Sequence, residues 1–211
     1  MNLLNLAVLC GLWIGYFVIH SILASEKIKN EFNSKFQGAA HAYRLLYNLT
    51  ASILLLPLIH YVYFVPSQQI IEWSGILAIA GNILALSALA GFIYSLKFYG
   101  GMEFLGLTQF RAKKPVETPH FVISPLHRFV RHPWYLFALI IIWTRDMNLH
   151  FLLSACLMTA YFFIGSYYEE QKMKLHFGKH YEEYMAKVPR IIPDFKRHLT
   201  SSQASNLTEK E

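Results

Sequence analysis

Ser124-Pro-Leu-His-Arg-Phe-Val-Arg-His-Pro-Trp-Tyr135 stands between two apolar segments, and Tyr167-Tyr-Glu-Glu170 closes the apolar segment that follows it. Pro133 suits the first position of a helix, because its φ is fixed near the helical value and its missing N–H would be unpaired there anyway. A helix starting at Pro133 puts Arg128, Arg131 and His132 at or just before its N-terminus, where the macrodipole is positive and cations add nothing to helix stability. Two readings of these cations are open. With the free N–H groups they form a site for an anion such as a carboxylate or phosphate, or they are the positive-inside anchors of a membrane helix and need no ligand.

Composition favours a membrane setting for either reading. The 211 residues are 55% hydrophobic and 15% charged, against roughly 25% charged in an ordinary soluble domain. The net charge is +6, but the basic residues alternate with apolar runs instead of gathering into a stripe interleaved with aromatics, which excludes a nucleic-acid partner. Cys10 and Cys156 each lie inside an apolar run, so no disulfide framework is expected. His176 and His180 are four apart and His127 and His132 five apart, yet neither pair has companion ligands at metal spacing, and no metal is expected. Nucleophile-elbow, P-loop and dinucleotide patterns are absent.

The apolar runs define an all-α, polytopic membrane protein with five transmembrane helices, at residues 3–24, 45–66, 73–96, 133–144 and 149–168. Four of these approach or exceed the ~20 residues needed to cross a hydrocarbon core. The run at 133–144 is short, about 18 Å as a helix, and Arg145-Asp-Met-Asn148 separates it from the next. The last two therefore read as a helical hairpin that brings the basic cluster and Glu169-Glu170 back to one side. Of the 19 Lys and Arg residues, only Arg145 falls on the opposite side, which predicts the N-terminus outside and the C-terminus in the cytoplasm. The first run lacks a basic n-region and a small-residue cleavage pattern, so it is read as retained. A cytoplasmic C-terminal helix follows from Glu169, Gly178 reads as a helix stop, and the whole domain extends over residues 1–198. Residues 199–211, polar and Ser-rich, read as a disordered tail.

Glu170 and Lys174 have the spacing of an exposed i, i+4 ion pair. Glu169 is free for a cationic ligand group at the mouth of the hairpin. An anion site at Arg131-His132 with a carboxylate at Glu169 suits a zwitterion carrying an extra positive centre.

Val130-Arg-His-Pro-Trp-Tyr135, Glu169-Glu170, His176-Phe-Gly178, Tyr181, Tyr184 and Val188-Pro-Arg190 together resemble the membrane methyltransferases typified by isoprenylcysteine carboxyl methyltransferase. His20-Ser21, Tyr43-Arg44, Tyr47-Asn48 and Phe104-Leu-Gly-Leu-Thr-Gln109 are similar to landmarks of the methanethiol S-methyltransferase and NnrU-like branch. The resemblance implies S-adenosylmethionine as cofactor, held by His120, Phe121, Val122, His127, Arg131, His132, Pro133, Trp134 and Glu169. It implies a small-molecule or lipophilic acceptor, most simply a thiol, met by Tyr47, His20, Gln109 and Tyr135. No catalytic base is assigned, although His20 or Tyr47 would be placed to assist. The chain departs from the pattern at Gly165, where carboxyl methyltransferases carry an Arg, at Thr108 and Phe137, and at His127, where a tyrosine is usual. Gly165 argues for a thiol over a prenylcysteine carboxylate. A phospholipid amine as acceptor, and a non-catalytic NnrU-like role, also stay open.

Overall fold

The computed structural model describes residues 3–113 and 121–208. In chain order the elements are α1 (Leu3–Leu23), α2 (Glu26–Lys35), a 3-10 stretch (Gln37–Ala42), α3 (Tyr43–Phe64), β1 (Gln69–Ile71), α4 (Gly75–Tyr99), α5 (Gly101–Phe104) and α6 (Leu107–Ala112). A 3-10 turn (Leu126–Arg128), α7 (Pro133–Trp143), β2 (Met147–Asn148), α8 (Leu149–Lys187) and α9 (Ser201–Thr208) complete it. Among the described residues four helices, α1, α3 with its preceding turn, α4 and α8, are long and apolar enough to cross a membrane. At 11 residues, α7 is about 16 Å long, well under a hydrocarbon core of about 30 Å.

The chain forms two compact units, Met1–Glu72 with Tyr99–Thr118 and Asp146–Leu157, and Trp73–Phe98 with Pro119–Arg145 and Met158–Glu211. In the first, α1 packs on α3, and the Trp13 indole donates to Ser154 Oγ at 2.7 Å. Ser25 caps α2 by accepting from Ile28 N at 3.4 Å, with Glu26 in the first turn and Lys35 in the last, each on the end the helix dipole favours. The antiparallel pairing of β1 with β2, Gln69 opposite Asn148 and Ile71 opposite Met147, was not anticipated. Strands this short carry no alternation to read.

Phe104-Leu-Gly-Leu-Thr-Gln109 is seated on the start of α3. Asn48 Nδ2 donates to Phe104 O at 3.0 Å, and Gly106 has φ +83° with its Cα turned onto the α3 backbone. A Cβ at Gly106 would lie 2.6 Å from Leu45 N and 3.0 Å from Arg44 C. Backbone cannot yield as a side-chain tip can, so Gly106→Ala is expected to cost about 1–3 kcal/mol through overpacking and left-handed strain. Thermal unfolding in detergent measures this, and an unchanged midpoint would rule out the close approach.

In the second unit Phe137 lies on Gly91 of α4, whose added Cβ would be 2.7 Å from the Phe137 ring. The Phe137 departure is thus matched by a glycine opposite it. Gly178 interrupts α8 with φ 52° and ψ −130°, as expected of a helix stop, but the helix resumes beyond it to Lys187. Residues Phe121, Tyr181, Tyr184, Val188, Leu199, Ala204 and Leu207 form a buried cluster.

The expected disordered tail is instead the helix α9 over residues 201–208, with 209–211 outside the described residues. Thr200 N donates to Gln203 Oε1 and Gln203 N to Thr200 Oγ1, at 2.9 and 3.2 Å, a reciprocal N-terminal cap. Leu199, Ala204 and Leu207 are buried, and that apolar face overrides the Ser-rich composition.

Candidate functional site

The site is built where α7 begins and the apolar part of α8 ends. Pro133 is at the first turn of α7, as its fixed φ requires, and His132 is the N-cap residue. The two backbone N–H groups before the helix are not free for an anion. Arg131 N donates to Pro189 O and His132 N to Arg190 O, each at 2.9 Å.

Glu170 is the centre of the polar network. Its side chain is fully buried, with Arg131 Nε donating to Oε1 at 2.7 Å, Arg190 Nε donating to Oε2 at 3.0 Å, and His132 Nε2 at 3.1 Å from Oε1. Burial opposes ionisation, but the bonds and charges of His132 and Arg131 outweigh it and pull the carboxyl down to about 2. Arg131 Nη1 donates to Met185 O and Val188 O. The Arg131 guanidinium is thereby committed on two edges to the protein itself. The surface pairing of Glu170 with Lys174 does not occur; Lys174 reaches Glu182 at 3.1 Å instead.

Glu169, the preceding residue, is half exposed. Its Oε2 accepts from Tyr135 OH at 3.0 Å and lies 3.3 Å from His132 Nδ1, while Oε1 has no partner among the described residues. His132 thus spans both carboxylates. Burial lowers its basicity, yet bonds to Glu169 and Glu170 more than compensate, and its pKa is raised above the ordinary histidine value. His132, Tyr135 and Phe162 stack in parallel, with interplanar angles of 4° and 6° at 5.3 and 5.0 Å. The free edge of the Glu169 carboxylate attracts a cation by its charge, and the stacked rings hold that carboxylate in place.

The other expected residues are distributed differently. The Trp134 indole donates to Ser95 Oγ of α4 at 2.6 Å and packs on Phe92. Ser124 Oγ is 2.7 Å from His127 Nδ1, whose pKa is depressed to about 4 by burial and by the charge on His132. Phe121 belongs to the buried aromatic cluster with Phe177, Tyr181 and Tyr184, and Val122 is exposed. His120 lies outside the described residues. In the first unit Tyr47 OH is 2.8 Å from His20 Nε2, with Tyr16 stacked on the imidazole. Gln109 is buried, and its side-chain oxygen has no partner among the described residues.

Glu170, read from the sequence as a surface ion-pair partner, and Arg190, named only within the family pattern, were given no role at the site, and Ser95 was not singled out. Helical phase would have found the first. Ser166, Glu170, Met173, Phe177, Tyr181, Tyr184 and Val188 recur every three or four residues, and all are buried or packed against buried neighbours.

No family model and no solved structure matches the chain. Among curated proteins it is similar to a methanethiol S-methyltransferase of Pseudomonas sp. strain GM41(2012), 37% identical over 92 residues covering 43% of this chain and 35% of the relative. It is 29% identical over 192 residues to methanethiol S-methyltransferase 1 of Bradyrhizobium diazoefficiens, covering 84% of this chain and 63% of the relative. The Pseudomonas deceptionensis methanethiol S-methyltransferase is 33% identical over 93 residues, 44% of this chain and 35% of the relative. The chain therefore spans between 35% and 63% of the length of these three relatives.

Proposed function

We propose that the protein is an S-adenosylmethionine-dependent methyltransferase of the membrane that methylates a small thiol, with the cofactor's cationic end held at Glu169. The carrying observation is the likeness to proteins named methanethiol S-methyltransferase, read together with the half-exposed Glu169 carboxylate beside the stacked His132, Tyr135 and Phe162 rings. The five-span topology, with α7 and the apolar part of α8 as a hairpin and the C-terminus cytoplasmic, belongs to the same reading. The pairing of α7 with α8 in that reading is supported by the contacts of Tyr135 with Phe162 and Glu169 and of Trp143 Nε1 with Thr159 Oγ1 at 3.0 Å, and the orientation by the distribution of Lys and Arg.

The residues fit the positive end of such a cofactor better than its carboxylate. Glu169 offers an unpartnered oxygen to an ammonium or sulfonium, whereas Arg131, expected to hold the anion, is tied to Glu170 and to two carbonyls. Arg131 and Glu170 are on this view the frame that fixes His132, and His132 and Tyr135 fix the Glu169 carboxylate. When bound, the cofactor supplies a methyl group on a positively charged sulfur. The protein's part is alignment of donor and acceptor, an effect able to contribute about 7–11 kcal/mol. A thiol of ordinary pKa, near ~8.5, reacts as its thiolate. Acceptor-side roles for His20, Tyr47, Gln109 and Tyr135 rest on the resemblance alone.

Equilibrium binding of S-adenosylmethionine to wild type and Glu169→Ala tests the site. Loss of a charge-assisted contact is expected to weaken binding by about tenfold or more, and equal affinities would remove Glu169 from the site. Transfer of a labelled methyl group across small thiols, prenylcysteines and aminophospholipids tests the acceptor. Neither binding nor transfer would favour a non-catalytic, NnrU-like role.

A further inference from the structure

Lys187-Val-Pro-Arg-Ile-Ile-Pro-Asp-Phe-Lys-Arg-His198 joins α8 to α9, and only its start is used by the site. Its position follows from the break at Gly178. The apolar run of α8 ends at Tyr168; beyond Gly178 the chain returns until Arg190 Nε meets Glu170 and the carbonyls of Pro189 and Arg190 accept from Arg131 and His132. Arg190 is therefore level with a point two residues past the apolar run, beside the start of α7. Ile192 and Phe195 follow within five residues, so they lie no more than about 18 Å from that level even in a fully extended chain.

Ile191 is buried, but Ile192 is 67% and Phe195 84% exposed, and exposed Phe129 stacks on His198 at 5.7 Å and 15°. Single exposed apolar residues are ordinary, whereas a cluster rimmed by charge marks an interaction surface. The rim is basic. Lys187, Lys196 and Arg197 are exposed with Asp194 as the one acid of the segment, and Asp194 Oδ1 already accepts from Lys196 N. Arg197 Nη2 donates to Ala186 O at 3.0 Å, which fastens the segment to the end of α8.

We propose that residues 192–198 with Phe129 form an interfacial anchor on the acidic surface of the bilayer that α7 and α8 enter. Ile192 and Phe195 occupy the boundary between acyl chains and headgroups, and Lys187, Lys196 and Arg197 meet anionic headgroups. Large apolar side chains beside Lys and Arg, at the level where an apolar helix run stops, are what such a surface selects. The inference rests on the membrane reading of α7 and α8 and not on methyl transfer. Its consequence is local: the anchor fixes Pro189 and Arg190, which in turn hold Arg131, His132 and Glu170.

The test uses the full chain with Cys10→Ser and Cys156→Ser, spin-labelled through Phe195→Cys, in nanodiscs of phosphatidylcholine and phosphatidylglycerol. Oxygen, which partitions into lipid, is expected to collide with this label more often than a water-soluble nickel chelate does. The order should invert for a label at exposed Glu183→Cys. Adding Lys196→Glu and Arg197→Glu should shift the label at 195 toward the nickel chelate, and no shift would overturn the assignment to acidic headgroups. A nickel-dominated label at 195 without those two charge reversals would overturn the anchor. Exclusion of both reagents would do so too, by showing a protein contact there.

Discussion

Glu170→Ala is expected to lose about 3–5 kcal/mol of stability, because it leaves a buried guanidinium with no counter-charge. The Arg131 side chain is 6% exposed and Glu170 0%, so water cannot take over the vacated partner. Arg190, whose side chain is 34% exposed, can turn to solvent, so Arg190→Ala should cost much less. The asymmetry makes the prediction specific. Thermal unfolding in detergent should rank Glu170→Ala far below Arg190→Ala, and Glu170→Ala with Arg131→Met should recover much of the loss, since removing both charges removes the stranded one. A Glu170→Ala protein that melts with wild type would mean that the network contributes nothing. The same series separates frame from ligand site, because Glu169→Ala, at a half-exposed side chain, should move the melting midpoint much less than Glu170→Ala while weakening cofactor binding.

What the sequence could reveal followed the strength of local pattern. Long charge-free runs stand out because the membrane demands them, and α1, α3, α4 and α8 lie close to where hydropathy put them. Pro133 and Gly178 were readable because each restricts the backbone by itself. Pairing across long separations was not. Glu169 and Glu170 are identical in type and adjacent in sequence, and only the phase of α8 decides which turns inward to Arg131. Gly106 and Phe137 likewise gain their meaning from Leu45 and Gly91, partners 61 and 46 positions away. The tail misled because composition favours disorder, while Ala204 and Leu207 on one face, Leu199 buried just ahead of the helix and a reciprocal cap were enough to seat α9.

His127 and His132 should give the protein a stability maximum near pH ~6.5, since they titrate in opposite senses. His132 has a raised folded pKa, so its contribution is complete below the unfolded value near ~6.5 and is lost as pH rises through the folded one. His127 has a folded pKa of about 4. Its contribution is complete above the unfolded value and declines as pH falls from ~6.5 toward ~4, by about 3 kcal/mol in all. Glu170, with a folded pKa of about 2, loses its share only from ~4.5 downward. His127 therefore contributes to the acid limb between pH ~6.5 and ~4, above the range in which Glu170 titrates. His127→Asn retains an acceptor for Ser124 Oγ and cannot be protonated, so it should flatten that limb and leave the loss below pH ~4 in place. Melting temperature in detergent, followed across pH for wild type and variant, reads both limbs in one experiment. An identical acid limb in the variant would show that another group carries the titration.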